Sequence, residues 1–236
     1  MEKWYVAAKK ADFDKWAKEF HISPVTARIL RNRDLTEESE IQKFLYGKLE
    51  DCYSPWLLKD MDKAVKRINR ALDDGESICI YGDYDCDGVT STALLYTFLS
   101  ALGGFVSYYI PNRATDGYGM NFKAIDKIKA DGTDLIITVD NGISSIEEAE
   151  YIYSLGMQLI VTDHHQIGEN LPRAEAVINP HREDNEIEFR DFAGVGVAFK
   201  LACALYDGDV EDLLEDYADY VTIGTIGDMV PLLNEN

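Results

Sequence analysis

Apolar positions along this chain follow two periods in turn. Residues 77–81, 105–110, 134–139, 157–162 and 174–178 are short, nearly continuous apolar runs such as Ile78-Cys79-Ile80 and Leu135-Ile136-Ile137. Runs of this length and density predict strands buried on both faces. Between and around them, residues 61–72, 89–102, 121–130, 144–155, 195–206 and 210–226 carry apolar residues at helical spacing, as Ala64, Val65, Ile68, Ala71 and Leu72 do. Gly103-Gly104 and Gly156 stop two of these helices, and Pro111 and Asn179-Pro180 end two strands. Strands alternating with helices predict an α/β fold, a mainly parallel sheet with helices on both faces.

Residues 1–60 read differently. They form an amphipathic, mostly helical N-terminal segment, broken at Ser23-Pro24 and Ser54-Pro55, with a helix start at Thr36-Glu37-Glu38. The expected division is therefore a helical lead-in over 1–60 and an α/β domain over 61–236. Trp4, Trp16, Phe20 and Trp56 are expected to pack on the domain that follows.

The polar residues gain meaning once placed on the predicted sheet. Asp83, Asp85 and Asp87 follow the first strand, Asp140-Asn141-Gly142 the third, and Asp163-His164-His165 the fourth. Each cluster falls at the carboxyl end of its strand, the edge where open α/β sheets bind ligands. A solvated acidic turn would explain any one cluster; three on one edge argue for a site. Asp228, after the last helix, is a fourth contribution. Like charges this close raise one another's pKa values, and a divalent cation relieves them. Carboxylates mixed with imidazole suit two ions of Mn²⁺, or Mg²⁺. The ligand candidates are Asp85, Asp87, Asp140, His164 and Asp228. Such pairs of ions activate water and neutralise charge on a phosphoryl group, so the reaction class is phosphoester or phosphoanhydride hydrolysis.

Other motifs add less. Gly194-Val195-Gly196-Val197-Ala198-Phe199 lacks the third glycine of a dinucleotide loop and suits a close backbone approach at a helix start. Cys86 lies among acids, which disfavours a nucleophilic thiolate. Arg113, His181 and Arg182 could hold phosphates and Tyr118 could stack on a base, while Lys123 reads as surface charge.

Composition narrows the setting. The chain has 236 residues, 46% of them hydrophobic, and a net charge of −20, which argues against a generally basic nucleic-acid surface. Four scattered cysteines without a C-x-x-C pair point to a reducing, cytoplasmic location. No apolar run is long enough for a membrane span, and a monomer is expected.

Together, the Y-G-D-Y-D-C-D-G stretch at 81–88, V-D-N-G at 139–142 and Asp163-His164-His165 resemble the DHH phosphoesterase superfamily. Within it, Pro111-Asn112-Arg113, Gly117-Tyr118-Gly119, Ile178-Asn179-Pro180-His181, the 194–201 stretch and Gly227-Asp228-Met229-Val230-Pro231-Leu232 resemble the RecJ-like single-strand-specific exonucleases, from about Leu45 onward. The resemblance implies that Asp85 and Asp140 ligate one metal, and that Asp87, Asp140, His164 and Asp228 ligate the other. His165 would contact the scissile phosphate or support the site, with Asp83 and Asp163 orienting the ligands. It further implies 5′-to-3′ hydrolysis of single-stranded DNA to mononucleotides in recombination and repair, and further C-terminal domains in the natural full-length chain. Tyr81 stands where family II pyrophosphatases carry a histidine, which argues against that activity. The alternatives are a phosphoesterase for short oligonucleotides or pAp, and a binding module that has lost activity.

Overall fold

A computed structural model describes Lys3 and residues 9–236. Two compact units emerge, Met1–Cys52 and Tyr53–Asn236. The division falls earlier than the residue-60 boundary expected, because 53–60 is tied into the second unit: Glu186 N donates to Leu57 O at 3.0 Å and Lys59 N to Asn185 Oδ1 at 2.7 Å.

The first unit holds α1 (Phe13–Glu19), α2 (Pro24–Asn32) and α3 (Glu38–Tyr46). Asp12 and Ser23 cap the first two helices by accepting from Lys15 N and Thr26 N, and Pro24 occupies the first turn of α2. Trp16, Phe20, Ala27, Leu30 and Ile41 form this unit's own core. Trp16 and Phe20, expected as packing residues for the domain that follows, are buried in this unit's own core among three short amphipathic helices. Trp56 is 54% exposed, and Trp4 lies outside the described residues.

The second unit runs α4 (Met61–Asp74), β1 (Ser77–Tyr81), α5 (Cys86–Ala101), β2 (Phe105–Tyr109), α6 (Phe122–Ala130), β3 (Leu135–Thr138), α7 (Ile146–Ser154), β4 (Gln158–Thr162), β5 (Ala176–Ile178), α8 (Gly194–Leu205) and α9 (Val210–Gly227). All four strand pairings are parallel, in the order β2-β1-β3-β4-β5. Successive strand residues point to opposite faces and enter two separate cores. Ile78, Ile80, Leu135 and Ile137 join the core with α4, α5, α8 and α9; Cys79, Tyr81, Ile136 and Leu159 join that with α6 and α7. Burying each such side chain stabilises the fold by about 1.5–3 kcal/mol.

Register decides what the loops can share. Tyr81 pairs with Thr138, and Thr138 with Val161, so β1, β3 and β4 end level with one another. The strand order reverses between β1 and β3, which opens a crevice at their carboxyl ends. No helix among the described residues is long and apolar enough to cross a membrane.

Candidate metal centre

The acids after β1 do not form one loop. Asp85 caps α5, its Oδ1 accepting from Gly88 N at 2.9 Å, so the helix begins at Cys86 rather than near Val89. Asp83 and Asp85 stay outside the helix, and Asp87 enters its buried first turn. There Asp87 Oδ2 accepts from Gly194 N at 2.6 Å and Oδ1 from Val195 N at 2.8 Å. The amino end of α8 thus holds this carboxylate by backbone donors and helix dipole together. The Gly-x-Gly stretch at 194–196 suggested a close backbone approach; its target, Asp87, is 107 residues away and invisible to local pattern. An alanine Cβ at 194 would stand 2.7 Å from Asp140 Cβ.

Asp140 follows β3 with φ +60°, a left-handed conformation uncommon for aspartate. Asn141 holds that turn by donating through Nδ2 to Tyr81 O (3.1 Å) and Val139 O (2.9 Å), which also joins the ends of β1 and β3. Asp163 is nearly inaccessible. Its Oδ1 accepts from His164 N at 2.7 Å and His165 N at 3.0 Å and contacts His165 Nδ1 at 2.7 Å, while Oδ2 accepts from Ile143 N at 2.9 Å. Three of these four contacts come from His164 and His165, so Asp163 orients the two histidines.

Two donor groups lie side by side in the crevice. Asp83, Asp85 and Asp140 converge in one; Asp87, His164 and Asp228 in the other; Asp140 also gathers with His164 and His165. His164 Nε2 lies 3.0 Å from Asp140 Oδ1, 3.7 Å from Asp87 Oδ2 and 3.8 Å from Asp228 Oδ2. Asp140 Oδ1 and His164 Nε2 face one another as an ion pair, neither in a well-formed hydrogen bond, and Asp83 Oδ1 is buried without a hydrogen-bond partner. Buried polar atoms left unpaired are costly. Carboxylate and imidazole donors converging in this way fit divalent cations with mixed oxygen and nitrogen ligands.

The electrostatics agree. Burial pushes Asp140 up to about 8, the charge of Asp87 adding to it and His164 opposing. Burial likewise raises Asp83 and Asp87. Burial alone would lower His164, but Asp140, Asp87 and Asp228 outweigh it and raise the imidazole to about 9. Protons stand in here for positive charge that the crevice is shaped to hold.

The flanking residues divide. Arg113 stacks over Tyr84 at 5.3 Å, and Tyr118 Oη lies 3.3 Å from His165 Nε2. His181 meets Gln166, its Nε2 3.3 Å from Gln166 Nε2, so the loops after β4 and β5 touch. Arg182 does not face the crevice. It is buried, with Nη1 on Asp60 Oδ2 (2.6 Å) and Val177 O (2.7 Å) and Nη2 on Asp184 Oδ2 (2.8 Å). An arginine so saturated clamps the β5 loop to the start of α4 and is not available to a phosphate.

A parallel sheet with its acids and histidines gathered at the switch point is a class of site suited to holding divalent cations. The model of the DHH family, N-terminal domain, matches residues 77–225, and the chain belongs to that family. It is similar to the single-stranded-DNA-specific exonuclease RecJ of Bacillus subtilis (strain 168), 44% identical over 218 residues, covering 92% of this chain and 27% of the relative. The RecJ of Escherichia coli (strain K12) is 39% identical over 224 residues, 89% of this chain and 38% of that protein. A crystal structure of exonuclease RecJ bound to manganese superposes with a TM-score of 0.66 at 37% identity, over 74% of this chain and 44% of that one. RecJ of Thermus thermophilus in complex with Mn²⁺ gives a TM-score of 0.69 at 29% identity, over 94% and 31%. The chain thus spans 27–44% of the length of these relatives.

Proposed function

We propose that the α/β unit is the catalytic domain of a metal-dependent exonuclease, hydrolysing single-stranded DNA from its 5′ end to mononucleotides in recombination and repair. The carrying observation is the pair of donor groups at the β1–β3 switch point with buried donor atoms that have no other partner. Similarity to RecJ exonucleases, two of them solved with manganese or Mn²⁺, supports the choice of reaction and of Mn²⁺ or Mg²⁺.

Asp83, Asp85 and Asp140 would hold one cation, and Asp87, His164 and Asp228 the other, Asp140 standing between them. When bound, the cations supply Lewis acidity and lower the pKa of a water. The protein supplies placement. Backbone donors from α8 hold Asp87, Asn141 holds the Asp140 turn, and Asp163 holds His164 and His165. With Nδ1 turned to Asp163, His165 keeps Nε2 available to donate to a phosphoryl oxygen, and Tyr118 Oη lies 3.3 Å from both ring nitrogens. Tyr118 and Arg113, both exposed on the β2–α6 loop, are placed to receive a base and a phosphate. The four cysteines are scattered along the chain without a C-x-x-C pair, in keeping with a reducing, cytoplasmic setting.

The test is Mn²⁺-dependent release of mononucleotides from 5′- and 3′-labelled single-stranded DNA, with Asp140→Ala as control. Release from the 5′ end by the parent alone is expected. Equal turnover by the variant would sink the assignment.

A further inference from the structure

The charge of this chain is distributed unevenly. Residues 1–52 hold ten Lys and Arg and ten Asp and Glu, so the whole net charge of −20 falls on 53–236. Six arginines lie in that acidic unit. Four are paired with carboxylates: Arg67 with Glu76, Arg70 with Asp74, Arg173 with Glu150, and Arg182 with Asp60 and Asp184. Among the described residues, Arg113 and Arg190 have no carboxylate within ion-pairing distance.

Both exceptions lie at the carboxyl edge of the sheet, on opposite flanks of the metal centre. Arg113 follows β2 and stacks on Tyr84, which stands between Asp83 and Asp85. Arg190 follows β5 and precedes α8. Its Nη1 reaches the His181 carbonyl at 3.5 Å, a weak contact, and the His181 ring meets Gln166, the residue after His165. Arg190 is half-buried, which limits its freedom, yet nearly all its guanidinium donors are uncommitted. A partly desolvated arginine with free donors in a strongly acidic unit awaits an anion, and its planar fork matches a phosphate.

We propose that Arg190 is a phosphate-binding residue, and that a single-stranded phosphodiester lies across the centre from Arg113 to Arg190. This rests on the nucleic-acid reading above and extends it to the β5–α8 loop, where no basic residue but Arg182 and His181 suggested itself in sequence. It also accounts for how an acidic unit can hold a polyanion: local cations lie where the strand passes, while the cations in the centre offset the acids.

The experiment measures anisotropy of a labelled oligothymidylate with the parent protein, Arg190→Gln and Arg190→Lys, over a salt series. Ca²⁺ replaces Mn²⁺ to favour binding over cleavage. Arg190→Gln is expected to weaken binding about tenfold or more, the loss of one charge-assisted contact. The slope of log affinity against log salt should become shallower by about 0.7, the value of one single-strand phosphate contact. Arg190→Lys should keep the slope and lose part of the affinity. Mn²⁺ affinity and melting temperature should stay at parental values, which a merely structural role would not allow. An unchanged slope in Arg190→Gln, or no binding by the parent, overturns the proposal. Binding by the parent without hydrolysis in Mn²⁺ would overturn the exonuclease reading and leave Arg190 standing.

Discussion

Gly194→Ala probes the centre without touching a ligand. The new Cβ would lie 2.7 Å from Asp140 Cβ, 2.9 Å from its Oδ1 and 3.0 Å from its Cα. Carbon atoms in contact ordinarily stand about 3.5–4.0 Å apart, so the backbone of α8 or the Asp140 turn must move by roughly 0.8 Å. The Asp140 turn resists, because Asn141 pins it to two carbonyls. If α8 yields instead, Gly194 N and Val195 N withdraw from Asp87, which they hold at 2.6 and 2.8 Å. Overpacking costs about 1–3 kcal/mol, and each weakened hydrogen bond to a charged group adds up to about 1.5–3 kcal/mol. We expect a stability loss of roughly 2–4 kcal/mol by urea denaturation. Calorimetric titration should show weaker Mn²⁺ binding. Mononucleotide release should fall about a hundredfold, as misplacement near 1 Å can cause. Gly196→Ala is the control on the same helix. Its Cβ would meet only Phe192, 3.3 Å from Cδ1 and 3.6 Å from Cβ, a far milder crowding. A Gly194→Ala protein that binds Mn²⁺ and turns over like the parent would refute the reasoning.

Three further outcomes are expected. Because the carboxylates around it raise His164 to about 9, its charge stabilises the metal-free fold fully below the unfolded value of about 6.5, and that contribution is lost as pH rises toward 9. Mn²⁺ must displace this proton, so affinity should climb over the same window and calorimetry in buffers of different ionisation enthalpy should register proton release; pH-independent affinity would contradict it. Arg182→Met strands the buried Asp60 carboxylate with Lys63 as its remaining ionic partner, at 2.6 Å, and should cost about 3 kcal/mol by denaturation while Mn²⁺ affinity holds; an unchanged midpoint would remove the clamp. Asp163→Asn replaces a carboxylate that takes four contacts from backbone and imidazole, and should lower turnover about ten- to hundredfold with the fold intact; parental turnover would deny it an orienting role.

Much of this protein was legible in its sequence. The five strands lie within a residue or two of the apolar runs that predict them; four are largely buried, as a strand covered on both faces must be apolar throughout, while the edge strand β2 leaves Phe105 and Tyr108 exposed. The carboxyl-edge position of Asp85, Asp140 and His164 followed from strand order along the chain, since the loop after each parallel strand emerges on the same side. The class of chemistry was also readable, because carboxylates gathered with imidazoles have few uses other than holding a cation. Tertiary structure decided what depends on elements far apart in sequence. Arg182, beside His181 on a polar loop, looked like a phosphate ligand; only the fold brings Asp60 against it and takes its charge out of play. That Trp16 and Phe20 share a core with Ala27, Leu30 and Ile41 was likewise set by how three helices close on one another. The grip of α8 on Asp87 and the isolation of Arg190 arise from contacts, and from missing contacts, across the fold. Periodicity reports the face a residue turns to the core, whereas pairing of charges is a property of distance in space, and folding sets that distance.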